Sequence, residues 1–334
     1  MTRRNAILFW VLAIAILLLF AIDMGVGSVD ITASDIWAAL IGGDGDPIKR
    51  KIIIDIRLTK ALVAILAGAG LAVSGLQMQT LFRNPLAGPY VLGVSSGASL
   101  GVAIFILGAP LLGLGGLSFL SSIGVAGAAW IGAAAVLAMV ATVSRRIKDI
   151  MVILILGMMV GSAVSAIVQV LQYMSHEEAL KSFVIWTMGS LGDVTLSQLW
   201  LVATAIIAGL ILSISVIKPL NLLLLGESYA RTMGMNIRRT RMLILLSTTL
   251  LAGTVTAFCG PIGFIGLAIP HVARIIFHNA DHRILMPATA MTGALSMLVC
   301  DIISKMFTLP INTITALLGI PIVIWVVIRQ KNIV

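Results

Sequence analysis

Ten apolar runs occupy most of this chain, near residues 6–26, 59–80, 92–109, 118–143, 150–172, 196–217, 240–259, 263–278, 284–304 and 312–329. Each is close to the roughly 20 residues that carry an α-helix across a hydrocarbon core about 30 Å thick. Of the 334 residues, 60% are hydrophobic and 10% are charged, whereas soluble domains average about 45–50% and about 25%. A soluble fold of this composition could not cover its own surface, and disorder requires the opposite composition. Aromatic residues make up only 6% while glycines number 32, which suits close-packed helices better than a barrel with aromatic girdles. The expected fold is an all-α polytopic membrane protein, one transmembrane domain over residues 1–334 with about ten spans.

The formal net charge of +9 would suggest nucleic acid in a soluble protein. Here it reads as the cytoplasmic bias of Lys and Arg, and no nucleic-acid partner is expected. Arg3 and Arg4 precede an apolar stretch, Ala6–Ile22, longer than the usual signal-peptide core. No A-x-A-like site follows in Asp23–Asp30, so the stretch reads as a retained first span. With the N-terminus inside, fifteen of the 22 Lys and Arg fall on the cytoplasmic side. The other seven, Lys49, Arg50, Lys51, Arg57, Lys60, Lys181 and Lys305, fall outside. That asymmetry favours N-in, and an even number of spans brings the C-terminus inside too. Cys259 and Cys300 both sit in apolar runs and support neither a disulfide framework nor a zinc site.

Three segments depart from plain spans. Val29–Arg57 reads as an outer loop containing Trp37, the turn-rich Gly42–Pro47 and a basic strip. The eighth run is short and flanked by Pro261 and Pro270, which predicts a broken or tilted span, tolerated only where protein or a water-filled cavity surrounds it. Residues 218–241 form an inner loop in which Gly226–Arg231 reads as a short helix ended by Gly234. Glu227 and Arg231 complement its dipole and lie one turn apart, so the helix is either a rigid lever or an ordinary connector, with Ala230 turned toward a partner. Small residues crowd Ala67–Gly75 and Gly124–Ala135, which predicts close helix or subunit contacts.

Catalytic motifs are sparse. No Gly-Lys pair occurs, so the chain lacks the common phosphate cradle, and any ATP that drives it binds another subunit. His176-Glu177-Glu178 begins like a zinc-protease motif but lacks the second His. Gly93-Val94-Ser95-Ser96-Gly97 matches G-x-S-x-G, yet it opens a membrane run, where small residues for helix contact explain it better than a nucleophile elbow. His271 reads as a helix-end hydrogen-bonding group and Asp301 as the i,i+4 partner of Lys305, although intramembrane ionisable groups are also functional candidates. Two other readings follow from these residues: an intramembrane enzyme using Ser95, His271 or Asp301, and an ion-coupled secondary transporter.

A series of motifs in order along nearly the whole chain resembles the FecCD, or BtuC-like, permeases of binding-protein-dependent ABC importers for ferric siderophores, haem and vitamin B12. They are Arg57-Leu58-Thr59-Lys60, Gly68–Gln79, Arg83-Asn84-Pro85-Leu86-Ala87-Gly88-Pro89, Leu92–Ala98, Gly226-Glu227-x-x-Ala230-Arg231-x-x-Gly234, Gly260–His271 with Arg274, and Leu318-Gly319-Ile320-Pro321-x-x-Ile324-Trp325. The resemblance implies the type II ABC importer fold. It also implies a second permease subunit, in a homodimer, around a central pathway, two cytoplasmic ATPase subunits, and a substrate-binding protein above. ATP and Mg would sit on the ATPase, with no cofactor and no metal site in this chain. The location would be the bacterial inner (cytoplasmic) membrane.

Position by position, the resemblance assigns binding-protein docking to Arg57, Lys60 and Lys305, with Thr59 in place of the family's usual Pro. It assigns ATPase coupling to Gly226, Glu227, Ala230, Arg231 and Gly234. The cytoplasmic gate falls to Asn84, Pro85 and Leu86 together with Asp149, Ile150 and Met151. In vitamin B12 members that second gate carries small hydroxyl residues, so the sequence Lys148-Asp149-Ile150-Met151 points away from cobalamin. Among residues with side-chain polarity, Gln77, Gln79, Gln169, Gln172 and Tyr173 are expected near the pathway. No catalytic residue is expected. The implied function is ATP-driven alternating access for a metal chelate, with ferric siderophore the default.

Overall fold

The computed structural model describes residues 3–42, 46–91, 93–108, 122–144, 147 and 150–331. Within them the apolar runs become helices one for one. Six are long and apolar enough to cross a membrane: Arg3–Gly25, Pro47–Leu81, Met151–Met174, Leu196–Ser215, Ile237–Cys259 and His282–Phe307. Four shorter apolar helices, Val94–Gly108, Gly124–Val140, Ile265–Phe277 and Ile311–Val326, match the remaining runs. In chain order the helices are α1 (Arg3–Gly25), α2 (Ala33–Ile41), α3 (Pro47–Lys51), α4 (Thr59–Leu81), α5 (Val94–Ala103), α6 (Ser122–Ser144), α7 (Ile150–Met174) and α8 (Glu177–Thr187). They continue as α9 (Leu196–Ser215), α10 (Ile217–Leu224), α11 (Glu227–Thr232), α12 (Ile237–Cys259), α13 (Ile265–Phe277), α14 (His282–Phe307) and α15 (Ile311–Lys331).

The α4 helix is the hub. It packs against α9, α12, α13 and α14, and 19 of its 23 residues are buried. Its small-residue face lets backbones touch. A Cβ on Gly68 would run into the Gly293 carbonyl of α14, and one on Gly75 would run into the Gly266 carbonyl of α13. The same device joins α5 to α6 at Gly97 and Gly132. In a bilayer, where burial of apolar side chains gives little drive, such close packing is what holds helices together. The small-residue stretches expected as interfaces are thus contacts within one chain.

Several elements between the apolar runs differ from the sequence expectation, α2 and α8 among them. The basic strip after Pro47 is helical: α3 passes through a π-helical turn, Ile52–Leu58, directly into α4. Asp46 caps it by accepting the Ile48 N–H at 2.8 Å, and Pro47 occupies its first turn, where a missing N–H costs nothing. The inner loop holds two short helices, α10 and α11, rather than one. The eighth span is shortened as expected. Residues 260–264 run irregularly before α13, with positive φ at Gly260 and Phe264. The irregular backbone is satisfied by protein: Ser190 donates its N–H to the Cys259 carbonyl at 2.8 Å, and Gly263 donates to Asn312 Oδ1 at 3.0 Å.

Candidate functional site: a polar cleft between two closed ends

A cleft of about 540 Å³ runs along one face of α7, against the N-terminus of α5. Gly157, Gly161, Ser165 and Gln169 recur every four residues along it, which spans about 18 Å at about 1.5 Å per residue. The glycines let α5 approach, since Gly93 lies over the Gly157 carbonyl. Beside them, Ser96, Ser162, Tyr90 and Gln169 supply hydroxyls and an amide. No charged side chain among the described residues lines the cleft. Among the described residues no three His, Cys, Asp or Glu side chains gather as a metal site.

Of the residues expected near the pathway, the structure brings only Gln169 into this cleft. Gln172 is half-buried and Tyr173 is 93% exposed, further along α7. Gln77 and Gln79 are buried in packing instead. Gln77 donates to Ser247 Oγ at 3.2 Å and accepts from the Thr248 hydroxyl at 3.0 Å, which ties α4 to α12. Gln79 donates to the Leu267 carbonyl at 3.0 Å and accepts from Arg274 at 2.7 Å. Helix α4 is enclosed by neighbours on all sides, so its polar residues find partners in the core. Ser96, Ser162 and Ser165 were missed by sequence reasoning; the four-residue Gly/Ser spacing along α7 was the available signal.

At the outer end the expected docking cations are turned inward. Arg57 is 4% exposed and donates to the carbonyls of Met24, at 2.8 Å, Gly25, at 2.9 Å, and Val29. Lys305 reaches both Asp23 and Asp301 at 2.8 Å, and Lys60 reaches Asp301 at 3.0 Å. Both aspartates are fully buried and Lys305 is 9% exposed, leaving Lys60, at 20%, the most open of the four. The result is a charge-balanced cluster joining the ends of α1, α4 and α14. The expected Asp301–Lys305 pair is present within it. A buried ion is tolerated when its counter-charges are this close.

At the cytoplasmic end the loop after α4 is pinned from both sides. Asn84 Oδ1 accepts the Leu86 N–H at 2.9 Å, and His271 Nε2 donates to the Pro85 carbonyl at 2.8 Å. His271 is thus structural as expected, but it bonds a loop carbonyl from within α13 rather than capping a helix end. Leu86 stays 43% exposed. On the other expected gate segment, Met151 is 45% exposed at the start of α7; Asp149 and the Ile150 side chain lie outside the described residues, as do Arg145, Arg146 and Lys148. In the inner loop Glu227 pairs with Arg241 of α12, and Arg231 stands off at 4.0 Å. Ala230 is fully buried against its own chain, so it does not face a partner; the short helix needs a small residue there to sit down on the bundle. Tyr229, Met233 and Leu225 are the exposed groups, at 47%, 59% and 63%. Gly226 and Gly234, at φ +107° and +80°, end the turns that frame the helix.

A profile of the FecCD transport family matches residues 14–329. The hemin transport system permease protein HmuU of Yersinia pestis is 35% identical over 333 residues, covering 96% of this chain and 96% of its own. The vitamin B12 import system permease protein BtuC of Salmonella arizonae is 36% identical over 335 residues, covering 99% and 96%. A solved structure described as an inward-facing conformation of a metal-chelate type ABC transporter superposes with a TM-score of 0.83 at 30% identity, covering 97% of this chain and 99% of that one.

Proposed function

This chain belongs to the FecCD transport family, and on that premise we propose that it carries a ferric siderophore across the bacterial inner membrane as one half of a homodimer. At the coarser level it is the permease subunit of an ABC importer of the metal-chelate, haem or vitamin B12 type, with ATP hydrolysis on a separate subunit and a binding protein as further partner. The observation that carries this reading is the end-to-end superposition on a metal-chelate type transporter, covering 97% of this chain.

The cleft supports the finer choice. A chelate arrives with its metal already wrapped, so the pathway meets only the ligand shell. Hydroxyls and an amide exchange hydrogen bonds with such a shell without gripping it. Haem carries two carboxylates, for which the described wall, without a cation, offers no counter-charge. The exposed face of α7, with Ile155, Met159 and Val170, would meet its copy across the dimer axis and enclose the cleft from the other side. Tyr229, Met233 and Arg231 would seat in the ATPase, with ATP and Mg bound there. Loop residues Asn84, Pro85 and Leu86, with Met151, would narrow the exit. Docking of an acidic binding-protein lobe at Lys60 and Lys305 would require those lysines to exchange Asp301 and Asp23 for the incoming carboxylates. A loaded binding protein drives the cycle only through its different affinity for the outward and inward states.

The test is reconstitution of the permease with its ATPase and binding protein in proteoliposomes, followed by import of ferric siderophores, haem and cobalamin side by side. ATP-dependent accumulation of a ferric siderophore alone supports the proposal. Accumulation of haem or cobalamin instead would overturn the substrate and leave the importer. Uptake driven by a proton gradient without ATP would overturn both. For the gate, Leu86→Cys in a chain freed of Cys259 and Cys300 should cross-link between subunits and block import.

A further inference from the structure

The cytoplasmic ends of α4, α10 and α13 enclose a second cavity, of about 300 Å³. Arg83, Arg274, Gln79, Thr80 and His271 give it a polar wall, Leu224 closes one side, and among the described residues no acidic side chain lines it. Most of that wall is already engaged. Thr80 donates to the Leu76 carbonyl at 3.0 Å and meets His282 Nε2 at 2.9 Å. His271 is committed to Pro85, and Gln79 to Leu267 and to one N–H of Arg274.

What is left over is positive. A guanidinium carries five N–H donors. Arg274 places one of them on Gln79, Arg83 places none on a described residue, and neither arginine enters an ion pair among the described residues. Arg274 is partly buried, and a desolvated cation without a counter-ion is unfavourable. Arg83 is held at φ +48°, a left-handed conformation that persists in a non-glycine residue only when its surroundings impose it. Its guanidinium also reaches the inner loop, since a Cβ on Gly226 would lie 3.6 Å from Arg83 Nη1.

We propose that this cavity binds the phosphate of an anionic phospholipid headgroup from the inner leaflet, with Arg83 and Arg274 as its two cations. Arginine matches phosphate oxygens through paired donors. Basic pockets between helices on the cytoplasmic side are where such headgroups bind. The volume lies at the small end of ligand sites and holds a phosphodiester with its glycerol rather than one bare phosphate. Leu224, 42% exposed, offers the apolar flank beside the acyl chains. A bound headgroup would join three parts that must move together: the Arg83–Leu86 loop, the entry to the inner loop, and α13. The site is independent of which chelate is carried, so the two proposals fail separately.

The full-length chain, purified in mild detergent and stripped of lipid, is offered phosphatidylglycerol or phosphatidylcholine of equal chain length, and retained lipid is counted by native mass spectrometry. Phosphatidylglycerol should be retained and phosphatidylcholine lost. Arg83→Glu, at an exposed position that leaves folding intact, should lower phosphatidylglycerol affinity roughly tenfold or more, the scale of one charge-assisted contact. Arg283→Gln, on the same membrane face but outside the cavity, should leave it unchanged. Inorganic phosphate that displaces phosphatidylglycerol keeps the phosphate chemistry and makes free phosphate the source. Equal retention of the two lipids, or full retention by Arg83→Glu, overturns the site.

Discussion

The two ends of α4 treat charge in opposite ways. At the outer end, two buried aspartates and two lysines form a closed set, in which each charge has an opposite one within 3.0 Å. At the inner end, Arg83 and Arg274 share a cavity with no acid among the described residues, and Glu227 already has Arg241. Positive-inside bias explains an excess of inner cations, but not why one of them is partly buried. Charges that neutralise one another serve the chain's own cohesion, whereas the surplus inner charges are those proposed above to hold a lipid phosphate. The outer end is therefore a clasp and the inner end an open set of contacts.

The comparison breaks first at Lys305. Lys305→Ala leaves Asp23 without its lysine and Asp301 with only Lys60, and should destabilise the chain by about 3–5 kcal/mol, the usual penalty for breaking a buried pair from one side. Thermal unfolding in detergent measures it. A loss below about 1 kcal/mol, the level of an exposed pair, would show that the cluster is not a clasp.

The next effect belongs to the inner end. His271→Ala removes the N–H that holds the Pro85 carbonyl, at a cost of about 1–3 kcal/mol if the carbonyl stays dry. The change should show locally, as faster tryptic cleavage after Arg83 in the purified chain. Unchanged cleavage would mean that Asn84 alone holds the loop.

The ten apolar helices were legible because apolar length is a one-dimensional property of the sequence. Small-residue stretches were legible as contacts for the same reason, although which helix they met was not: Gly68 finds Gly293 some 225 positions away, and nothing local encodes that. The α3 helix was missed despite a local signature, Asp46-Pro47 as cap and first turn, because the glycines before it read as turn. Arg57 and Lys60 read as outer cations because a sequence shows charge but not distant counter-charge, whereas the Asp301 partner of Lys305, one turn away, was legible. Asp23 lies 282 positions from Lys305, and Asp301 lies 241 from Lys60, so these two pairings became visible only once α1, α4 and α14 were packed. Gln77 and Gln79 read as pathway residues on polarity alone, while α12 and α13 supplied the partners that bury them.

A third effect sharpens the view of the inner end. Tyr229→Ser with Met233→Ser should leave unfolding within about 0.5 kcal/mol of the parent, as exposed substitutions do. Capture of the ATPase should still fall roughly tenfold, because a partly exposed aromatic on a monomer is the kind of residue that carries an interface. Equal capture by the double variant would move the ATPase contact elsewhere in the inner loop.

The smallest effect lies at the outer surface, where a charge pair exists that is not part of the clasp. Asp35 of α2 accepts from Lys49 of α3 at 2.9 Å, and both are open to water. The Lys49 ammonium, followed by the Thr32 backbone N–H and hydroxyl, pushes the Asp35 carboxyl down to about 2. A carboxyl depressed in the folded state stabilises above its ordinary value near 3.8, and that contribution is lost as pH falls through about 2. The α2–α3 contact should therefore be insensitive to pH from neutrality down to about 4. Lys49→Met should raise the Asp35 value toward the ordinary one and move the loss upward in pH. Hydrogen exchange over Ala33–Ile41, corrected for its intrinsic pH dependence, reads this directly. The difference between parent and variant should shrink in high salt, since both partners are exposed and screened. The buried outer cluster should show no such salt dependence. If Lys305→Ala lost its penalty in high salt as readily as Lys49→Met, the division between clasp and surface pair would fail.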